Sequence, residues 1–178
     1  MLRSLSPGVV MDVGAKHARY RSQVPATEYL TLDLRSDVGA DIVGDLHDVP
    51  RESESLDTVI ATEVLEHCHD PARVVSEIRR VLRPGGVCVL STRFIHPYHP
   101  DPHDYFRFSR DGLEYLFRDF SMVDLTPLGN RLQSAWLMLP ERPRWLATFL
   151  GLLDPLVASY RGSPRTRCPG GFLVRAVR

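Results

Sequence analysis

The chain has 178 residues, a length that suits one domain built around one hydrophobic core. Its 22 basic residues match its 22 acidic residues, so the formal net charge near neutral pH is zero. A balanced charge provides no strong field for nucleic acid or an anionic membrane, and we expect neither as a partner.

The three cysteines are odd in number and lie far apart, at Cys68, Cys88 and Cys168. That pattern favours reduced thiols in the cytoplasm over a disulfide framework. The N-terminus lacks the apolar core of a signal peptide, and no run approaches the roughly 20 apolar residues that cross a bilayer. We therefore expect a cytoplasmic protein without a membrane span.

The first half of the chain contains apolar runs typical of buried parallel strands. The first run ends at Gly14, and the second ends about 20 residues later at Asp33, a spacing at which a carboxylate can bind the hydroxyls of a ribose. Strand, glycine turn and acid together predict a site for a nucleoside-containing cofactor. The four expected strands lie at 9–13, 29–33, 40–45 and 56–62, with a helix of at most two turns at 16–23 and a missing or vestigial helix at 34–39.

The second half begins with the clearest helix signal in the chain. Asp70 supplies an N-cap, Pro71 suits the first helical position, and apolar residues follow at helical spacing as far as Leu82. The last apolar run, at 171–177, alternates as an antiparallel or edge strand does. Between them we expect strands at 87–92 and 120–125, a His- and Pro-rich loop at 93–107, a helix capped by Ser109, and two helices at 134–139 and 143–160.

Short motifs follow one another in a fixed order over roughly residues 9–126. They are Asp12-Val13-Gly14-Ala15, Asp33, residues 43–50, Leu56-Asp57-Thr58-Val59, Glu63-Val64-Leu65-Glu66-His67, Asp70-Pro71, residues 77–86 ending in Pro84-Gly85-Gly86, and Asp104-Tyr105-Phe106-Arg107-Phe108. This ordered set resembles the class I S-adenosylmethionine-dependent methyltransferases, in particular their small bacterial members. The resemblance implies a single α/β domain over residues 1–178. It implies a Rossmann-like three-layer α/β/α sandwich whose seven-stranded sheet is mostly parallel and has an antiparallel last strand.

The resemblance implies S-adenosylmethionine as the cofactor, bound by residues that follow the first strands. The first glycine turn lies under its methionine part, Asp33 takes the ribose hydroxyls, and Asp45 with Leu46 meets the adenine. Lys16 occupies a position where a dinucleotide-binding turn has a glycine, which argues against NAD. This lysine either faces the cofactor's carboxylate or crowds the pocket. The full predicted cofactor set is Asp12, Gly14, Ala15, Lys16, Asp33, Leu34, Asp45, Leu46, Thr62 and Glu63.

Methyl transfer from a sulfonium requires an aligned nucleophile and, for a hydroxyl, a group that removes its proton. Imidazoles and carboxylates near the ends of the fourth and fifth strands are placed for this, although a loop histidine is more often a structural hydrogen-bonding residue. The candidate catalytic residues are His103, His99, Glu63 and His67.

The loop at 93–107 also allows a metal site as an alternative. Its nitrogen and oxygen donors are His96, His99, Asp101, His103 and Asp104. Prolines at 97, 100 and 102 break any helical face that would hold these donors together. We therefore expect no metal.

The sequence thus predicts a methyltransferase that acts on a small-molecule acceptor by O- or N-methylation. A sugar, a lipid-linked compound or a secondary metabolite is the suggested type of acceptor. The Leu- and Trp-rich segment at 129–162 is expected to form a helical cap or insertion, and it is the expected face of a homodimer. The alternative is a catalytically degenerate methyltransferase-like binding or scaffold protein, which Lys16 and the thin second crossover suggest.

Overall fold

A computed structural model of the protein describes residues 2–15, 18–100, 103–129, 131–139 and 168–178. The strands form one sheet in the order β3-β2-β1-β4-β5-β7-β6. The five strands from β3 to β5 are parallel to their neighbours, whereas β7 is antiparallel to both β5 and β6. The predicted fold class is confirmed. The strands are β1 (Gly8–Val13), β2 (Ala26–Asp33), β3 (Ile42–Val43), β4 (Leu56–Thr62), β5 (Leu82–Arg93), β6 (Met122–Leu128) and β7 (Gly171–Val177).

Within the described ranges, three α-helices accompany the sheet: α1 (Pro71–Val81), α2 (Arg110–Leu116) and α3 (Arg131–Leu137). Two of them begin at the predicted caps. The Asp70 carboxylate accepts the N–H of Arg73 at 3.0 Å, and the Ser109 hydroxyl accepts the N–H of Gly112 at 3.1 Å. Each cap satisfies a backbone donor that has no partner within the helix.

Successive strand residues point to opposite sides of the sheet, and both faces carry clusters of buried side chains. On one face, α1 contributes Val74, Val75, Ile78 and Val81 to the main core, together with residues of α2. The other face carries a smaller cluster that includes Val10, Ile60 and Val89. Short 3₁₀ turns accompany this smaller cluster at Leu2–Ser4 and Arg21–Gln23, so its covering layer is thin among the described residues.

Several predicted boundaries need correction. The third strand is only Ile42–Val43, because Asp41 turns its carboxylate onto the Thr31 backbone and hydroxyl instead of continuing the ladder. In the described part of the first crossover, the predicted helix is reduced to the turn at Arg21–Gln23. The fifth strand begins directly at Leu82, where a register shift and Gly85 at φ 80° accommodate the change of direction.

The C-terminal part also departs from the sequence prediction. The last strand is antiparallel as expected, but it lies between β5 and β6 and is not an edge strand. β6 begins and ends later than 120–125, and α3 begins earlier than 134. The predicted helix at 143–160 and most of the predicted cap at 129–162 lie outside the described residues. Among the described helices, none has both the length and the apolar character needed to span a membrane.

Gly171 marks the closest backbone approach between β7 and β5. A Cβ at this position would lie 2.3 Å from the carbonyl oxygen of Thr92, whereas one at Gly170 would meet nothing nearer than 3.8 Å. We expect Gly171→Ala to lower the free energy of unfolding by about 1–3 kcal/mol, because the strands must separate. Gly170→Ala is the matched control and should cost far less. Urea denaturation measures both, and equal losses would contradict the described register.

Candidate functional site

The turn after β1 lies where the strand order reverses, with β2 on one side of β1 and β4 on the other. Parallel strands place their carboxyl ends at one edge, and such a reversal opens a crevice there. Gly14 has φ 65°, and its N–H donates to the carbonyl of Leu32 at 2.8 Å. A Cβ on Gly14 would lie 2.8 Å from a Val64 methyl, so the turn packs directly against the segment that follows β4.

Asp33 ends β2 beside this turn and is only 8% exposed. One carboxylate oxygen, Oδ1, accepts the N–H of Arg35 at 3.0 Å. The described residues give the other oxygen, Oδ2, no hydrogen-bond partner. Leu34 follows with 63% of its surface exposed, a large value for an apolar side chain. A nearly buried carboxylate with an open oxygen, next to an exposed apolar group, suits a ligand that has both hydroxyls and an apolar face.

Asp45 and Leu46 follow β3. Burial alone would raise the pKa of Asp45, but hydrogen bonds from the backbone and ring of His47, at 2.9 and 2.6 Å, hold that pKa below its ordinary value. Because Nε2 of His47 accepts the N–H of Asp70 at 3.2 Å, Nδ1 is the nitrogen that carries the proton toward Asp45. The Asp45 side chain is half exposed, while Leu46 is buried in the main core.

Asp12 has different surroundings from the other predicted cofactor residues. Its side chain is buried, and the Tyr29 hydroxyl donates to its Oδ2 at 2.5 Å. Burial raises the pKa of Asp12, and burial together with the Asp12 carboxylate raises that of Tyr29. The Asp12 carboxylate is therefore engaged by a hydrogen bond from Tyr29 of the neighbouring strand β2. Its predicted contact with a cofactor stays a prediction.

A cavity of about 160 Å³ adjoins the turn after β1, with Ala15, Thr31 and Gly39 in its lining. Neither Asp33 nor Asp45 lines it. A larger cavity of about 420 Å³, between α1 and residues 116–120, is lined by none of the predicted site residues. Lys16 lies outside the described residues, so its predicted relation to the cofactor stays a prediction.

Glu63 follows β4 in a left-handed conformation with φ 57°, which is uncommon for a residue with a side chain. Its Oε1 accepts the Ser91 hydroxyl at 2.7 Å, and its Oε2 pairs with Arg93. Its N–H donates to the Ser91 carbonyl at 2.9 Å, next to the pairing of Thr62 with Ser91. Since both carboxylate oxygens are engaged, Glu63 fixes the end of β4 against β5 and is poorly placed to accept a proton.

Two of the predicted catalytic histidines come together with a glutamate. The rings of His67 and His99 have centroids 5.0 Å apart, and Nε2 of His99 lies 3.8 Å from Oε1 of Glu66. Glu66 is fully buried, and burial raises its pKa. Its Oε2 accepts the Thr92 hydroxyl at 2.8 Å. We call Glu66, His67 and His99 the Glu66 cluster.

Sequence reasoning chose the wrong glutamate for this cluster. Glu63 and Glu66 both follow the fourth strand, but only Glu63 was selected as a candidate catalytic residue, although the adjacent Glu66-His67 pair was a usable signal. His103 reaches the cluster through its backbone, because its carbonyl oxygen accepts from Nδ1 of His67. Its own exposed ring lies 5.5 Å from that of Tyr105.

The loop that carries His99 is held by an ion pair. Arg107 pairs with both oxygens of Asp104, and its guanidinium also donates to the carbonyls of His96 and Pro97. Asp104 in turn accepts the N–H of His99 at 2.9 Å, and its Oδ2 lies 3.3 Å from Nδ1 of the ring. Hydrogen bonds from Arg107 hold the pKa of Asp104 well below its ordinary value.

Comparison with known proteins shows similarity to methyltransferases. Residues 12–90 match the family model described as a methyltransferase domain. A probable S-adenosylmethionine-dependent methyltransferase of Mycolicibacterium smegmatis is 49% identical over 49 residues, which are 28% of this chain and 19% of that protein. A ubiquinone biosynthesis O-methyltransferase of Psychrobacter cryohalolentis is 44% identical over 62 residues, which are 35% of this chain and 22% of that protein. The chain thus spans less than a quarter of the length of these relatives.

The fold is also similar to that of solved methyltransferases. An S-adenosylmethionine-dependent methyltransferase from Archaeoglobus fulgidus matches with a TM-score of 0.66 and 11% identity, over 99% of this chain and 88% of that chain. The solved structures show a Rossmann-like fold. The match over residues 12–90 and the named relatives support the class I S-adenosylmethionine-dependent methyltransferase family, and they confirm the resemblance seen in the sequence. The same findings support S-adenosylmethionine as the cofactor.

Substitution of Asp104 tests whether the Asp104–Arg107 ion pair stabilises the loop that carries His99. The Asp104 side chain is 1% exposed, so Asp104→Asn should lower the free energy of unfolding by about 3 kcal/mol, because it leaves a guanidinium without its counter-charge. The stabilisation is present at neutral pH and is lost as the pH falls below 3.8, since the folded-state pKa is depressed. Glu114→Gln breaks the exposed Arg110–Glu114 pair and should cost less than about 0.5 kcal/mol. Denaturant unfolding measures both variants, and equal losses of unfolding free energy would contradict a stabilising role of the Asp104–Arg107 pair.

Proposed function

We propose that the protein binds S-adenosylmethionine and transfers its methyl group to a small-molecule acceptor by O- or N-methylation. The observation that carries the proposal is Asp33, an almost buried carboxylate with an open oxygen at the end of β2, beside the Gly14 turn. Ionised carboxylates that accept from paired hydroxyls form strong hydrogen bonds, which is how a ribose is held at such an edge.

The remaining residues fit the other parts of this cofactor. Asp45 is half exposed and keeps Oδ2 open while His47 occupies Oδ1, so it can accept from the adenine amino group. Leu34 offers an exposed apolar surface next to Asp33. No later glycine follows Gly14 at the spacing a pyrophosphate requires, and S-adenosylmethionine has no pyrophosphate. Lys16 is included in the proposed cofactor site because of its position in the sequence, two residues after Gly14.

S-adenosylmethionine, when bound, supplies an electrophilic methyl group. The protein's part is to orient the acceptor and to take its proton. The Glu66 cluster is the candidate for the second task, because Asp104 lies beside Nδ1 of His99 and leaves Nε2 open. A base that is itself oriented by a third group is a common arrangement in proton transfer. Glu63 is better regarded as a positioning residue, since Ser91 and Arg93 engage its carboxylate.

Two observations support the proposed class of acceptor. One relative is named as a ubiquinone biosynthesis O-methyltransferase. The Leu- and Trp-rich segment at 129–162 belongs, in this proposal, to the same single domain. It would cover an apolar, lipid-linked or aromatic acceptor and contribute to a homodimer.

Asp33→Asn tests the cofactor site. Removal of the charge weakens two hydrogen bonds to the ribose hydroxyls, so we expect roughly 100-fold weaker binding of S-adenosylmethionine. Asp124→Asn is the matched control, because Asp124 is an exposed acid of β6 and should leave the affinity unchanged. Equilibrium dialysis with labelled cofactor measures both. Unchanged affinity in a folded Asp33→Asn protein would contradict the assigned site.

Turnover separates an enzyme from a binding protein of the same fold. Formation of S-adenosylhomocysteine should be detectable when phenols, sugars and amines are offered as acceptors. His99→Asn should lower kcat at least 10-fold while the dissociation constant of S-adenosylmethionine is retained, since general acid–base catalysis contributes that much or more. Tight cofactor binding without turnover on any acceptor would favour the degenerate scaffold.

A further inference from the structure

We propose that the Glu66 cluster binds one divalent transition-metal ion, with Oε1 of Glu66 and a ring nitrogen from each of His67 and His99 as ligands. One donor atom from each of these residues lies within 4.8 Å of the other two. The binding of an ion goes beyond the methyltransferase function proposed above and does not depend on it.

The strongest observation is an unsatisfied carboxylate oxygen. Glu66 is fully buried, and Thr92 serves its Oε2, but Oε1 finds no hydrogen-bond donor among the described residues. A buried carboxyl oxygen without a partner is costly, and buried polar groups are normally hydrogen-bonded or coordinate a metal. Nε2 of His99 lies 3.8 Å from Oε1, which is beyond hydrogen-bond distance.

Both histidines are arranged as metal-binding histidines usually are. A ligating imidazole typically presents its second ring nitrogen to a carboxylate or a backbone carbonyl, which fixes the tautomer and the ring orientation. Nδ1 of His99 lies 3.3 Å from Oδ2 of Asp104 and 3.5 Å from Nη2 of Arg107, and Nδ1 of His67 donates to the carbonyl oxygen of His103. In each ring this leaves Nε2 as the nitrogen open to a metal.

The donor set selects the kind of ion. Two imidazoles and one carboxylate suit zinc and other first-row transition metals, whereas magnesium and calcium prefer oxygen ligands alone. Ligands of a tetrahedral zinc ion lie about 3.4 Å from one another, so the Glu66–His99 pair, at 3.8 Å, must close by a few tenths of an ångström. The donor atom of His67 lies within 4.8 Å of the other two and must approach them as well. His67 and His99 are partly exposed, which leaves a route for the ion and a position for a further ligand.

The sequence pointed to different donors. The metal alternative weighed there drew its ligands from the loop at 93–107 alone and was set aside because of its prolines. Of the described members of that set, only His99 belongs to the cluster, and its partners come from the segment that follows β4. The expectation of no metal was reached by weighing the loop donors alone, and the present proposal departs from it because folding brings donors from two separate segments together.

A bound ion would also change how the acceptor loses its proton, and this step rests on the proposed function. A hydroxyl coordinated to a divalent cation has a lowered pKa and can ionise near neutral pH. His67 and His99 would then act as ligands, and the proton would leave to solvent. The transferred methyl would still come from the sulfonium.

Calorimetric titration of zinc chloride into chelator-treated protein, purified without a histidine tag, tests the binding itself. We expect one ion per chain with micromolar or tighter affinity, and at least 10-fold weaker binding in Glu66→Gln and His99→Asn. His69→Asn is the matched control, since its ring stacks on His47 and lies outside the cluster. It should keep the wild-type affinity. Zinc should also raise the Tm of the wild type more than that of the two variants.

The outcomes separate the possibilities. The absence of saturable zinc binding would overturn the proposal. Equal weakening of zinc binding in His69→Asn, or wild-type affinity in a folded Glu66→Gln protein, would also overturn it, because either result would mean that the protein binds an adventitious ion only. Should Glu66→Gln fail to fold, His99→Asn decides, because that side chain is 30% exposed. The titration contains no S-adenosylmethionine, so its failure and a failure of cofactor binding are read independently.

Discussion

The turn after β1 and the segment after β4 approach so closely that position 14 has room only for glycine. Gly14 combines φ 65° with a Cβ position 2.8 Å from a Val64 methyl, so a side chain there would be both strained and in contact. The parallel pairing of β1 with β2 and β4 places the carboxyl ends of these strands at one edge. Asp33 and the Glu66 cluster lie at that edge, and the glycine at position 14 lets the two connecting segments pack against each other there.

Glu66 connects the second half of the site to this edge. Its carbonyl oxygen accepts the N–H groups of Tyr105 and Phe106, and its carboxylate accepts from Thr92. The His-rich loop is therefore attached by backbone hydrogen bonds to the turn that follows β4, and its own residues are held together by the Asp104–Arg107 pair. One buried residue thus connects this turn, β5 and the loop, and its second carboxylate oxygen has no hydrogen-bond partner among the described residues.

Most of the fold was predictable from local signals. Unbroken apolar runs identified β1, β2 and β4, and the caps at Asp70 and Ser109 identified two helices, because these patterns act within a few residues. β3 was overestimated, since the contact of Asp41 with Thr31 is tertiary and leaves no local pattern. The dependence on tertiary contacts also explains which site residues could be predicted. Asp33 could be found by spacing along the chain, whereas Glu66 matters through atoms that folding brings to it from the segment at 92–106.

The central claim is that this edge of the sheet binds S-adenosylmethionine. Calorimetric titration of the wild-type protein with S-adenosylmethionine, and separately with S-adenosylhomocysteine, tests it most directly. We predict saturable binding of both at one site per chain, because the ribose and adenine contacts are common to the two ligands. Absence of heat and of any shift in Tm with either ligand, in folded protein, would contradict it.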